Sequence, residues 1–179
     1  MSFHSFAGIK VLGWFLEHPT QKAHFRELCR HLKLHPLTVK SYCDEFLENE
    51  WLLEERKANL RIFFLNDGHF AIKSMKRAYF LEKLRELKIA SAVDETVISF
   101  ALYGSHASGE YDEKSDVDFL VVGRREGVDS NMLKNLERKL GKSVQLTVIS
   151  LEKWERNKEK DPFALSVLRN NVLLGGALL

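Results

Sequence analysis

The sequence predicts an α+β fold in two parts, and three observations carry that prediction. The N-terminal stretch holds three segments of helical period followed by two short apolar strands. Residues 69–90 contain neither Gly nor Pro and repeat apolar side chains at helical spacing. From about residue 96 onward, short apolar strands alternate with short helical patterns, an order that suits a small mixed sheet with helices on one side. The expected organisation is a helix-and-hairpin domain over 1–68, a connector helix over 69–95 and a sheet domain over 96–179.

Phe6, Ile9, Val11, Leu12, Phe15 and Leu16 recur near helical spacing, and His18-Pro19 stops that helix. A second helix reads from His24 to Leu32 with Phe25, Leu28 and Cys29 inward. Pro36 opens a third, since the first turn needs no N–H there, and Val39, Tyr42, Cys43, Phe46 and Leu47 form its buried face. Two short strands follow, 51–55 and 61–65, joined by Arg56-Lys-Ala-Asn-Leu60. The connector carries Phe70, Ile72, Met75, Tyr79, Phe80, Leu84 and Leu87 as an apolar stripe, which suggests a homodimer through this helix.

In the C-terminal part, 97–103 reads as a strand, 105–109 as a short helix and 116–122 as a second strand. Residues 131–140 form a helix that Gly141 ends in the C-cap role. A third strand spans 143–149. Helical stretches over 151–158 and 162–170 follow, the latter with Pro162 at its start, and an apolar run over 172–174 reaches Gly175-Gly176.

The chain has 179 residues, 45% hydrophobic and 29% charged, an ordinary globular composition. No apolar run approaches a membrane span and the N-terminus has no basic leader pattern, so the expected location is cytoplasmic, with no membrane partner. Cys29 and Cys43 lie in helical segments without a CxxC, which favours free, buried thiols over a disulfide. His24, His31 and His35 show no metal-ligand spacing with them. Residues 1–88 hold 15 Lys and Arg against 11 Asp and Glu, whereas 89–179 hold 12 against 14. The mild basic excess of the first half matters through its placement rather than its sum.

The chemistry concentrates in Leu102-Tyr-Gly-Ser-His-Ala-Ser-Gly-Glu-Tyr-Asp-Glu-Lys-Ser-Asp-Val-Asp-Phe-Leu-Val-Val122. Asp116 and Asp118, two apart on a strand, share one face. Paired carboxylates repel, and a divalent cation is the usual means of keeping both ionised. Gly104 and Ser105 stand where a strand gives way to a short helix, a place where backbone N–H groups can receive phosphate. Ten residues separate Ser105 from Asp116. This pattern of apolar strand, Gly-Ser, a spacer of that length and Asp-x-Asp in a second apolar strand resembles the DNA polymerase beta-like nucleotidyltransferase superfamily, in particular its small prokaryotic branch, the minimal nucleotidyltransferases. The resemblance covers about 96–179. It implies that Gly104 and Ser105 bind a nucleoside triphosphate, ATP or another, and that Asp116 and Asp118 are catalytic and bind Mg²⁺. A two-metal site of that kind holds its ions about 3.5–4 Å apart.

A second, more degenerate resemblance covers roughly the first 65 residues. Three helices and a basic-tipped hairpin, with Phe25-Arg-Glu-Leu-Cys-Arg-His-Leu-Lys-Leu-His-Pro-Leu-Thr-Val-Lys-Ser-Tyr42 as helix, turn and recognition helix, resemble a winged helix-turn-helix domain. It implies DNA contacts by His35, Thr38, Lys40 and Ser41, with Arg56, Lys57 and Arg61 on the wing. Such domains also bind proteins, and Glu45, Glu48 and Glu50 make the far end of the third helix acidic.

Two positions depart from the nucleotidyltransferase pattern. Active relatives carry a third acidic residue on the following strand, where this chain has Gln145 beside Thr147. An amide takes no proton at neutral pH and is a poorer Mg²⁺ ligand than a carboxylate. Either the alignment is shifted, or Glu110, Asp112 or Glu113 substitutes, or catalysis is weakened. Many relatives also place Arg shortly after Gly-Ser, where this chain has His106. His106 reads equally as surface filler or as a phosphate ligand, and Lys114 or Arg124 would otherwise have to supply the cation. The expected activity is therefore Mg²⁺-dependent transfer of a nucleoside monophosphate, AMP from ATP in the first instance, to an unidentified acceptor, a protein among the candidates. The competing reading is a DNA-binding transcriptional regulator whose catalytic fold has become a nucleotide sensor.

Overall fold

A computed structural model describes residues 3–177 and 179 of the chain. It divides into two compact units, Met1–Tyr79 and Phe80–Leu179.

In the first unit, a short 3-10 turn at Phe3–Ser5 leads into α1 (Ala7–Glu17), and β1 (Lys22–His24), α2 (Phe25–Leu32) and α3 (Pro36–Glu48) follow. The hairpin β2 (Leu52–Lys57) and β3 (Leu60–Leu65) completes an antiparallel sheet of order β1-β3-β2. Proline stands at the first turn of α3 as the sequence suggests, and the His35 ring accepts from the Leu37 N–H at 3.3 Å as its cap. Val11, Phe15, Leu28, Val39, Cys43 and Phe63 are fully buried and make one core. Removing each such large apolar side chain from water contributes about 1.5–3 kcal/mol. Both cysteines are free, and burial pushes the Cys43 thiol up to about 12.

β1 is absent from the sequence-based expectation. It has three residues and one buried side chain, Ala23, so no period is visible in it. Its existence depends on β3, which pairs Phe63 with Ala23.

The expected connector helix is shorter in the structure. α4 spans Ile72–Glu86, and Lys88 in the left-handed conformation (φ 56°) leads into a 3-10 turn at Ile89–Ala92. Phe70 lies before the helix and is 90% exposed rather than part of its stripe. Ile72, Met75 and Tyr79 pack in the first core, and Phe80, Leu84 and Leu87 in the second. The apolar stripe is thus used within each unit's own core.

The second unit is built on a four-stranded sheet of order β6-β5-β4-β7, from β4 (Ser99–Tyr103), β5 (Val117–Val122), β6 (Val144–Ile149) and β7 (Asn171–Gly176). β4 runs antiparallel to β5 and β7, and β5 runs parallel to β6, so the sheet is mixed. α5 (Gly104–Ser108) follows β4. α6 (Ser130–Leu140) links β5 to β6, and α7 (Leu151–Asn157) and α8 (Pro162–Arg169) precede β7. Asp129, Ser150 and Asp161 cap α6, α7 and α8 through their side-chain oxygens. Gly141 (φ 63°) ends α6 in the expected role.

The expectation of helices on one side is corrected here. Phe100, Leu102, Phe119 and Val121 join α4, α5 and α6 residues in one core, while Leu120 and Val122 pack against Trp154, Ala164 and Val167 of α7 and α8. The continuous apolar run Phe119–Val122 is the physical reason: a strand buried on both faces loses the polar alternation of a half-exposed one. Among the described residues, no helix is long and apolar enough to cross a membrane.

Candidate functional site

The turn from β4 into α5 is shaped by one glycine. Gly104 has φ 71°, a left-handed value that L side chains rarely adopt, and a Cβ there would lie 2.6 Å from Oδ2 of Asp118. The Asp118 carboxylate therefore sits directly over the Gly104 backbone. This follows from the register, since Tyr103, the residue before Gly104, is the antiparallel partner of Asp118. Ser105 comes next, half-buried in the first turn of α5.

Asp116 lies one residue before β5 and Asp118 within it. Burial first, and the negative charge of Asp116 second, push the Asp118 carboxyl above the usual carboxylate range. On the neighbouring strand Gln145 is the parallel partner of Asp118, and its amide nitrogen donates to Oδ2 of Asp116 at 2.6 Å. The neutral side chain thus occupies the place beside both carboxylates. Leu120 and Val122 continue the same strand face into the core under α7 and α8. Tyr103 shares that face: its hydroxyl meets Oγ1 of Thr147 at 3.2 Å, and Phe163 of α8 packs edge-on against its ring.

Other residues that the sequence nominated stand elsewhere. His106 is fully buried, stacked on Tyr111 at 4.4 Å and against Phe80 at 4.3 Å. It is an aromatic member of the core, neither surface filler nor phosphate ligand, because it points to the face of α5 turned toward the α4 side of the sheet. Asp112 accepts from the Ser115 hydroxyl and the Lys114 N–H, which in that order hold its carboxyl below the ordinary range. Glu110 accepts from the Ser108 hydroxyl at 3.3 Å. Lys114 and Arg124 are exposed. Among the described residues, no group of three or more His, Cys, Asp or Glu side chains is gathered as for a metal ion. The hard carboxylate oxygens of Asp116 and Asp118 are of the type that Mg²⁺ accepts, and a cation between them would relieve their mutual repulsion. In that sense the pair fits a divalent ion.

Sequence reasoning missed Tyr103 and Lys142. Tyr103 was readable by alternation, since it flanks the Gly-Ser turn. Lys142 gave no signal: it is a lone lysine after Gly141, yet its ammonium reaches the carbonyl oxygens of Asp112 and Glu113 at 2.9 and 3.0 Å.

In the first unit, Ser41 and Lys57 are exposed and Thr38 is half-buried. The remaining basic candidates have carboxylate partners. Lys40 donates to Asp44 at 2.7 Å and Arg56 to Glu54 at 3.1 Å. Arg61 is bound by both acids, at 2.8 Å to each. Leu37, at the start of α3, is 70% exposed.

Residues 77–173 match the family described as NTP_transf_2, nucleotidyltransferase domain. Two solved structures are similar to part of the chain. A crystal structure of a toxin-antitoxin with AMP-PNP shares 15% identity at a TM-score of 0.31, covering 56% of this chain and 73% of that one. A mutant of the toxin-antitoxin MntA-HpeT shares 14% identity at a TM-score of 0.31, with the same coverage of 56% and 73%. No curated protein matches the chain.

Proposed function

The chain belongs to the nucleotidyltransferase domain family, and from that premise we propose that its second unit binds a nucleoside triphosphate with Mg²⁺ and transfers the nucleoside monophosphate, AMP from ATP in the first instance, to an acceptor. The observation that supports this most directly is the approach of the Asp118 carboxylate to Gly104, with a Cβ position only 2.6 Å from Oδ2. A turn without a side chain lets backbone amides and a metal-binding carboxylate serve the same phosphate chain. In this reading Asp116 and Asp118 hold the divalent ion, while Gly104 and Ser105 hold the β- and γ-phosphates. The bound ion supplies charge neutralisation at the α-phosphate and the leaving pyrophosphate. Tyr103 and Phe163 pack edge to face on the same side of the sheet.

Gln145 favours a second reading, in which the site binds the nucleotide and turns it over slowly or not at all. Its amide accepts no proton from an attacking hydroxyl, so the acceptor would have to arrive already acidic or lose its proton to solvent. The first unit is then the output module. Its three helices and antiparallel hairpin support a winged helix-turn-helix reading, with Thr38, Lys40, Ser41, Arg56 and Lys57 facing DNA or a protein partner and Arg61 bracing the hairpin through Asp44 and Glu54.

Labelled ATP and Mg²⁺ separate the two readings. Pyrophosphate release or a labelled product, abolished by Asp118→Ala, supports transfer. Thermal stabilisation by ATP and Mg²⁺ without turnover of any nucleotide supports the sensor and sinks the enzyme.

A further inference from the structure

We propose that Lys142 is a positioning residue for Asp116, locking the loop that delivers this carboxylate to the site. The inference rests on the reading of Asp116 as a ligand of a metal-bound nucleotide. The Lys142 ammonium lies 2.9 Å from the carbonyl oxygen of Asp112, 3.0 Å from that of Glu113 and 3.5 Å from that of Ser115. The last of these belongs to the peptide bond that leads into Asp116. Three carbonyl dipoles converging on one point repel one another, and a tetrahedral ammonium with three N–H donors satisfies them.

The hold on Asp116 is completed by its sequence neighbours. Ser143 accepts from the Val117 N–H at 2.9 Å through its carbonyl oxygen, and Gln145 donates to the Asp116 carboxylate at 2.6 Å. Residues 142, 143 and 145 therefore grip the chain before Asp116, after it and at its side chain. Gly141, in the left-handed conformation, turns the chain out of α6 so that Lys142 reaches back to this loop. Within the loop, Asp112 and Ser115 bond to each other, but those bonds are internal and do not tie it to the sheet. The Lys142 side chain joins the loop to the start of β6.

The test uses the full chain with Lys142→Met, which keeps the stem and removes the charge. Lys142→Arg keeps the charge but offers a planar fork to carbonyls that converge on a point. Hydrogen exchange without nucleotide should speed up at the amides of Lys114, Ser115 and Val117 in Lys142→Met, and less so in Lys142→Arg. Affinity for Mg·ATP should fall about tenfold, as for other residues that orient a metal ligand. In an Asp116→Asn background, Lys142→Met should cause no further loss, because the residue acts through Asp116. Unchanged exchange, unchanged affinity, or a loss that persists in full without the Asp116 carboxylate overturns the proposal. Wild-type protein that binds no Mg·ATP overturns the nucleotide reading itself, and with it the purpose assigned to Lys142.

Discussion

Gln145 of β6 donates its amide to Asp116 at the foot of β5 across 2.6 Å, while its backbone pairs with Asp118. One neutral residue thus stands beside both members of the acidic pair. It bonds to one carboxylate without adding charge, and so limits the repulsion of the site when no cation is bound.

Gln145→Glu converts that contact into a third negative charge. In EDTA the variant should be less stable than wild type by about 1 kcal/mol, or about 2–4 °C in Tm for a chain of this size. Millimolar Mg²⁺ should close the gap. A thermal melt with and without Mg²⁺ checks it, and a deficit that Mg²⁺ leaves intact would show that the three groups do not share an ion. If the enzyme reading holds, the same variant should turn ATP over faster than wild type.

Gly104→Ala meets two obstacles. Its backbone is left-handed, which costs about 1–2 kcal/mol for a residue with a Cβ, and the added carbon would lie 2.6 Å from Asp118. Asp118 must then move. Calorimetry should show Mg·ATP affinity reduced at least tenfold while the far-UV spectrum stays native, and wild-type affinity would sink the role given to this turn.

Stability of the first unit should depend on acid through Asp44 and Glu54. The Lys40 ammonium first and the Arg61 guanidinium next hold the Asp44 carboxyl below its ordinary value, and Arg61 and then Arg56 do the same for Glu54. With native values lowered, the two carboxyls contribute stability that is present above the unfolded carboxylate range near about pH 4. That stability is lost as pH falls through the lowered native values. Arg61→Met should destabilise by about 1–3 kcal/mol at neutral pH and flatten the acid limb of the Tm profile. An acid limb unchanged by Arg61→Met would refute the assignment.

The same ion pairs sharpen the DNA prediction. Arg61 is committed to Asp44 and Glu54, whereas Lys57 is exposed on the hairpin. In a salt-dependent gel shift, Lys57→Ala should weaken binding and lower the salt slope by about one. Arg61→Met should act mainly through stability. No shift at low salt with any duplex would leave a protein as the partner of this unit.

Much of the second unit was legible because punctuation residues stand at its boundaries: Gly141 after α6, Pro162 at the start of α8, Gly104 at the turn. The placement of Gln145 beside the aspartates was also readable, since it occupies the outward-facing position on the next strand. The two-sided burial of the sheet departs from the expectation of helices on one side, although the unbroken run Phe119–Val122 carries its signature. Lys142 and β1 lay beyond reach for another reason. Each is defined by a partner distant in sequence, and neither has a period, a spacing or a cap of its own. The charge cancellation of Arg61 is likewise a tertiary fact, because Asp44 comes from α3 and Glu54 from β2.

β5 ties the Asp118 carboxylate to the hydrophobic layer under α7 and α8. Asp118 and the buried Leu120 and Val122 sit on alternate positions of one short strand, so their side chains share a direction. Whatever tilts the strand where Trp154 and Val167 press on it swings the carboxylate at the other end. If Asp118 holds a metal-bound nucleotide, substitutions under α7 and α8 should lower Mg·ATP affinity before they unfold the unit. Tolerance to mutation in this unit should accordingly be narrower along β5 than its small core alone would dictate.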